Sequence, residues 1–580
     1  MPLPEFSGTL GLKRAAHLLR RATFGATKEQ IDTFATLTPA QAITALYHQA
    51  LPAPVVPIDP KTGTEWVLTG VTDANSDSGA LETFFKSWFI GQMMAVGVSD
   101  SISLAYTARE RLVYFLHTHF TTIASKVSNS RSLYFQNQLF RFFALDMLNA
   151  DPDVNFKNLT VKVSIDNAML RVLDGTENVK GSVNENFARE LLELYTIGRG
   201  LEGTLPPLPA QGDYIMYTEQ DVKQAARVLS GWEIDDTFAL IDLDTSIPRG
   251  TVRGSETNAS AHDNDPKTFS PRFANAVIQA DPALMSGGNA TEASAMDEIV
   301  QLVDLIYLQP ETAKHICWKL YRFFVYAPHT PADSLAIDGP IITEMANMLV
   351  ASNYKIQPVI ENLLRSQHFY EGSAAIPDDN FGGIIKSPLD LVIQSLRMFE
   401  VPITPMTTSA TEFYNQTGEI LSNVVGQAMN FYEPTDVAGY DCYFQFPIYH
   451  RYWITPNTLA NRYAFIRSIV TSTEAGMFKV NVFDFVKNNI PNAIAADASL
   501  LVIELAKYFL PLWDDLTYDD LADDNSGLTS QRLNYFKQRF LQTFSEAYWT
   551  TRWNEGAVDL RDQLEFLFNA MMQSPEYQLA

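Results

Sequence analysis

Asn184–Gly198 reads NENFARELLELYTIG. It opens on an asparagine suited to cap a helix and closes on a glycine suited to end one. Successive residues of a helix advance by about 100°, so Asn186, Glu190 and Glu193 fall in one narrow stripe. Leu191, Leu192 and Leu194 point elsewhere and supply a core face. The spacing therefore predicts a helix packed in a bundle, with two carboxylates a turn apart on its polar side. Such a pair can bind a hard cation or act as acid and base. It is also what any solvated helix face carries.

The same periodicity runs through most of the chain. LKRAAHLLRRATFG (Leu12–Gly25) places Leu12, Ala15, Ala16 and Leu19 on one side, and Lys13, His17, Arg20 and Arg21 on another. Thr27 and Thr38 stand where caps belong, and Pro39 falls at a first helical position. Further helices are predicted near residues 81–94, 104–120, 292–308, 311–326, 340–352 and 356–366. Ser387–Pro388 and Thr455–Pro456 start others, and a C-terminal helical part follows over about 455–580. Residues 52–79 and 234–289 are rich in Pro, Gly, Asp, Ser and Thr and read as irregular excursions. No alternating β pattern persists. The expected fold is mainly α: one multi-helical, bundle-like unit over 1–580 with long irregular loops.

Composition narrows the function classes. Forty-two Lys and Arg against 67 Asp and Glu leave a net charge of −25, which repels nucleic acid and anionic membrane at long range. Apolar residues make up 46 %, enough for a sizeable core. Two cysteines, Cys317 and Cys442, make no disulfide framework and no CxxC pair. No segment approaches the roughly 20 apolar residues of a membrane span. The N-terminus shows no export signal, so a cytoplasmic location is the expectation. GxSxG, Walker A, GxGxxG and HExxH motifs are all missing from the sequence.

Several patches are candidates for chemistry. In ETAKHICWKLYRFF (Glu311–Phe324), Glu311, His315, Lys319 and Arg322 share one helix face, opposite Ile316, Leu320, Phe323 and Phe324. With Arg20 and Arg21 they form two basic stripes, which can bind an anion, face the acidic helix as ion pairs, or lie in solvent. HDNDPKTF (His262–Phe269) gathers His262, Asp263, Asp265 and Lys267 in six positions. A loop lets such groups converge on a metal or a substrate, and an Asx turn before Pro266 explains them equally well. His117 and His119 lie about 200° apart on a helix, so at most one joins a given site. Asp73, Asn75 and Asp77 imitate the opening of a calcium loop, but Gly79 comes one place late and the twelfth position is Phe84. MNFYEPTDVAGYDCYFQFPIYHRYW (Met429–Trp453) either stacks on a ligand or fills the core. If any cofactor is used, these residues suggest a divalent metal, of no specified kind.

HLLRRATFG, NENFARELLELYTIG, YTEQDVKQAARVLSGW, HDNDPKTF, ETAKHICWKLYRFFV, KSPLDLVIQSLRMF and GQAMNFYEPTDVAGY occur in that order, over about residues 12–465. The ordered set resembles the bacterial family filed as domain of unknown function 1800. Where many members carry Trp-His-Asn-His-Phe, this chain has Leu116 and Thr118 in LHTHF. The resemblance implies a mainly helical protein, without an established activity. It also implies frequent export and a neighbouring gene for a sulfatase-like protein. A binding or assembly role, with that neighbour as partner, is the first expectation. A hydrolase using His262, Asp263, Lys267, Glu190 and Glu193 is the second.

Overall fold

The computed structural model describes residues 3–68, 78–200, 214–328, 330–371, 381–513, 515–522 and 527–580. Helices carry the architecture, and the described strands are two antiparallel pairs of two residues each. The fold is mainly α, as the periodicity predicts.

The helix starts follow the capping residues. Thr27 with Gln30 and Thr38 with Gln41 form reciprocal capping boxes, and so does Thr455 with Thr458. Ser387 Oγ accepts from Asp390 N at 3.0 Å, with Pro388 at the first helical position. Each such cap stabilises its helix by about 1 kcal/mol. Helices Gly11–Ala22 and Lys28–Ala35 form a hairpin that turns at Gly25, whose φ is +103°. A Cβ there would stand 2.8 Å from the Cα of Gln394, so only glycine lets the turn lie on helix Pro388–Met398.

Helix Asp100–His119 is enclosed on every side from Ser103 to His117. Its charges must therefore be paired within the protein. Glu110 accepts from Arg109 at 2.9 Å and from Arg141 Nε at 3.0 Å, and Arg111 meets Asp390 at 2.5 Å. Removing one member of such a pair costs about 3–5 kcal/mol, because its partner is left buried and uncompensated. Around this helix the apolar core runs as one cluster from Leu3 to Tyr577, with Trp66, Trp88 and Trp549 inside it.

The 234–289 excursion is folded onto the helices. Trp232–Glu233 pairs with Thr251–Val252, and Lys267–Thr268 pairs with Val277–Ile278. Lys162 anchors one of its turns through Asp242 (2.7 Å) and Asp244 (2.5 Å). Of the 52–79 excursion, Asp73, Asn75 and Asp77 lie outside the described residues.

The opening stretch departs from a plain α-helix. Asn184 Oδ1 accepts from Asn186 N at 2.9 Å, and an α-helix runs over Asn186–Glu190. Leu191–Tyr195 then continues as a single π turn. Its wider winding changes which carbonyls remain to be satisfied. Thr196 Oγ1 donates to Leu191 O at 2.6 Å and Gly198 N to Leu192 O at 2.9 Å. Leu194 and Tyr195 are left to find donors on other helices.

Candidate functional site

Those donors are basic side chains. His315 Nε2 and Lys319 Nζ, one turn apart on helix Pro310–Phe324, both donate to Leu194 O, at 3.0 and 2.8 Å. His119 Nε2, at the end of helix Asp100–His119, donates to Tyr195 O at 2.8 Å. A carbonyl only accepts, so each imidazole carries its proton on Nε2. Gly198 closes the turn with φ +76°, and a Cβ there would stand 2.5 Å from His315 Nδ1. Thus the acidic helix meets the basic stripe with its carbonyl end, not with its carboxylates.

A cavity of about 420 Å³ opens beside this junction. Ile197, Met216, Trp318, Phe444 and Phe446 give it apolar walls, and Lys319, Glu193 and Arg199 reach it from the polar side. Trp318 is held between the His315 ring, stacked at 5.8 Å, and the Arg322 guanidinium at 4.3 Å. Arg322 is pinned in turn by Asp338 (3.2 Å) and Tyr449 OH (3.2 Å). It is therefore a buttress of the wall rather than an open cation.

Burial sets the protonation states. It lowers the Lys319 ammonium to about 7. The same cause, aided by Lys319, lowers His315 to about 3 and His119 well below its ordinary value. Both imidazoles are therefore neutral at pH 7. Glu190 is raised to about 7, first by burial and then by the neighbouring Glu193 charge, with Asp436 adding to it. Its carboxyl has no hydrogen bond or ion pair among the described residues. Glu193 is paired with Arg199, whose side chain is 73 % exposed at the rim. Glu190 is not among the residues that line the cavity, so of these two groups shifted toward neutrality only Lys319 reaches it.

The other candidates lie elsewhere. His262 Nδ1 donates to Ser230 O at 2.9 Å, and its Nε2 meets Glu298 at 2.8 Å. Lys267 is paired with the same Glu298, and Asp263 with Arg227 at 2.7 Å. Among the described residues, none of these bonds reaches Glu190, Glu193, His315 or Lys319. The loop is a buried network that fastens the 234–289 excursion to helices Glu219–Val228 and Glu292–Tyr307. Arg20 and Arg21 also turn inward, donating to Tyr508 O and Ala580 O at 2.6 Å each. His117 stacks on Tyr432 at 3.8 Å, away from His119. No group of three or more His, Cys, Asp or Glu side chains among the described residues is placed to hold a metal ion. Cys317 and Cys442 are free and buried.

Sequence reasoning had not singled out Asp436, Met216 or the carbonyls of Leu194 and Tyr195. Of the aromatic run Met429–Trp453, which the sequence reads as stacking on a ligand or filling the core, Phe431, Tyr432, Tyr440, Tyr449 and Trp453 lie in the core, and Phe444 and Phe446 line the cavity. Fold and site together define a mainly helical protein with an apolar cavity edged by half-buried basic groups. The chain belongs to the family described as protein of unknown function (DUF1800), whose model matches residues 17–579. No curated protein and no solved structure matches it. No described helix is long and apolar enough to cross a membrane.

Proposed function

We propose that this protein binds a small organic ligand in the cavity between the π turn, helix Pro310–Phe324 and the aromatic segment. The ligand has an aromatic or aliphatic body and directs a carbonyl or carboxylate oxygen at Lys319. One observation carries this reading: about 420 Å³ with apolar walls and a few converging polar groups. Small-molecule sites have that size and make-up. The test is a thermal-shift screen of aromatic and aliphatic acids, aldehydes and ketones. At least one should raise the melting temperature of the wild type and not that of Ala438→Trp, which puts an indole into the cavity mouth. No shift by any compound, or a shift that survives Ala438→Trp, overturns the reading.

Hydrolysis of an ester or amide ligand is the second reading, favoured by Glu190, whose carboxyl is raised to about 7 by burial and by Glu193, which lines the cavity. It places the acid–base work on Glu190 and Glu193, without His262, Asp263 or Lys267. Activity in the wild type that Glu190→Gln abolishes while ligand binding persists is its signature. Association with a sulfatase-like protein is a separate proposal that rests on the family resemblance. Failure to co-purify at micromolar concentration counts against it.

A further inference from the structure

Lys319 differs from the buried lysines of this protein. Lys162 is paired with Asp242 and Asp244, and Lys267 with Glu298. Lys386 is sealed in the core, 2 % exposed, against Tyr577 O at 2.8 Å. Lys319 is half-buried and reaches the cavity. Its one hydrogen bond among the described residues goes to Leu194 O, and no carboxylate there pairs with it. The charged and titratable groups around it explain this. On its own helix stand neutral His315 and Arg322, the latter paired with Asp338. The end of helix Asp100–His119 presents neutral His119. The π turn presents Glu193, already paired with Arg199, while Glu311 and Lys314 stand at the cavity wall.

A lysine held in apolar surroundings beside other basic groups keeps a free amine near neutral pH, the state in which it reacts with carbonyl carbon. Leu194 O is shared with His315. Lys319 can therefore swing away without leaving that buried carbonyl unsatisfied.

We propose that Lys319 captures an aldehyde or ketone in this cavity as an imine. The inference rests on the ligand-binding reading above and specifies its substrate class. The amine nitrogen attacks the carbonyl carbon, forming the N–C bond as the C=O π pair moves to oxygen. The oxygen then leaves as water, carrying the two hydrogens of the amine, and a C=N bond remains. No oxidant or reductant takes part.

The experiment incubates the folded protein at pH 7 with benzaldehyde or hexanal and cyanoborohydride, which reduces the imine to a stable secondary amine. Peptide mapping then compares Lys319 with the exposed Lys126 and Lys180. Lys319 should react at least about tenfold faster, since its larger free-amine fraction outweighs its lower basicity. Lys319→Met leaves Leu194 O to His315 and should lose the label while melting close to the wild type at pH 7. Ala438→Trp should slow labelling of Lys319 and leave Lys126 and Lys180 unchanged. Labelling of Lys319 no faster than those two lysines overturns the proposal. If acids or other ligands still shift the melting temperature in that case, the binding reading stands and only imine formation is lost.

Discussion

The basic stripes of Gly11–Ala22 and Pro310–Phe324 look alike in the sequence and reach different surroundings. Each points basic groups at main-chain oxygens, while Arg322 of the second pairs with Asp338. Arg20 and Arg21 donate to Tyr508 O and Ala580 O, joined by Lys386 on Tyr577 O and Arg462 on Lys386 O. His315 and Lys319 donate to Leu194 O, joined by His119 on Tyr195 O. The first cluster is closed over by the C-terminal segment, and the cavity beside Arg20 and Lys386 is only about 30 Å³. The second faces a cavity of about 420 Å³. In both, burial lowers the cations: Arg21 to about 9 and Lys319 to about 7. The lesson is that a cationic helix face does not disclose whether it is a clamp or a site. What packs over it decides.

The largest effect is expected in the closed cluster. Arg462, fully buried, serves Gln578 Oε1 at 2.7 Å and Lys386 O at 2.9 Å. Arg462→Met leaves two buried acceptors unsatisfied and should lower the unfolding free energy by about 2–5 kcal/mol. Urea denaturation reads it, and a loss below 1 kcal/mol would mean the clamp is not holding the C-terminal segment.

Gly198→Ala comes next. It forces a side chain onto φ +76° and against His315 Nδ1, at an expected cost of about 1–3 kcal/mol in the same assay. A neutral result would mean that the turn has room to shift away from His315.

Lys319→Met should change stability at pH 7 by less than about 1 kcal/mol, because His315 still serves Leu194 O. Its pH profile is sharper. Between about 7, the folded value, and the ordinary 10.5, the unfolded chain binds a proton that the folded chain does not. Wild-type stability therefore gains from Lys319 as pH rises through this window, by at most about 1.4 kcal/mol per unit. Thermal melts of the two proteins should diverge above pH 7, and parallel profiles would place Lys319 in solvent.

The smallest effect belongs to Glu190, whose folded value of about 7 lies above the ordinary 4.5. Its contribution to stability is complete below 4.5 and is lost as pH rises through 7. Glu190→Gln should remove that decline from the pH profile of the melts, and an unchanged profile would show that Glu190 titrates normally.

Local signals explain what the sequence discloses. Caps at Thr27, Thr38, Ser387 and Thr455 act within three residues, so the helix starts they mark are readable without tertiary knowledge. The separation of His117 from His119 is likewise a matter of helical angle. The π turn is not readable in this way. Leu191–Tyr195 has ordinary α-helical residues, and its winding goes with donors 76 and 125 residues distant in the chain, His119 and Lys319. The cavity is equally hidden, since Phe444 and Phe446 come to Glu193 only through tertiary packing. HDNDPKTF shows the converse. Its dense charges resemble a site in the sequence because the sequence does not contain Glu298 as a neighbour, and that carboxylate pairs with both His262 and Lys267.

The distinction between a clamp and an open site is tested most directly by two lysines in one experiment. The folded protein is treated briefly with a small amine-reactive acylating reagent at pH 7.5, and the modified peptides are mapped. Lys319 should be modified early, and Lys386, though its amine is also pushed well below its ordinary value by burial and by Arg20 and Arg462, only after unfolding. Equal protection of both, or Lys386 reacting as fast as Lys319, would contradict the account.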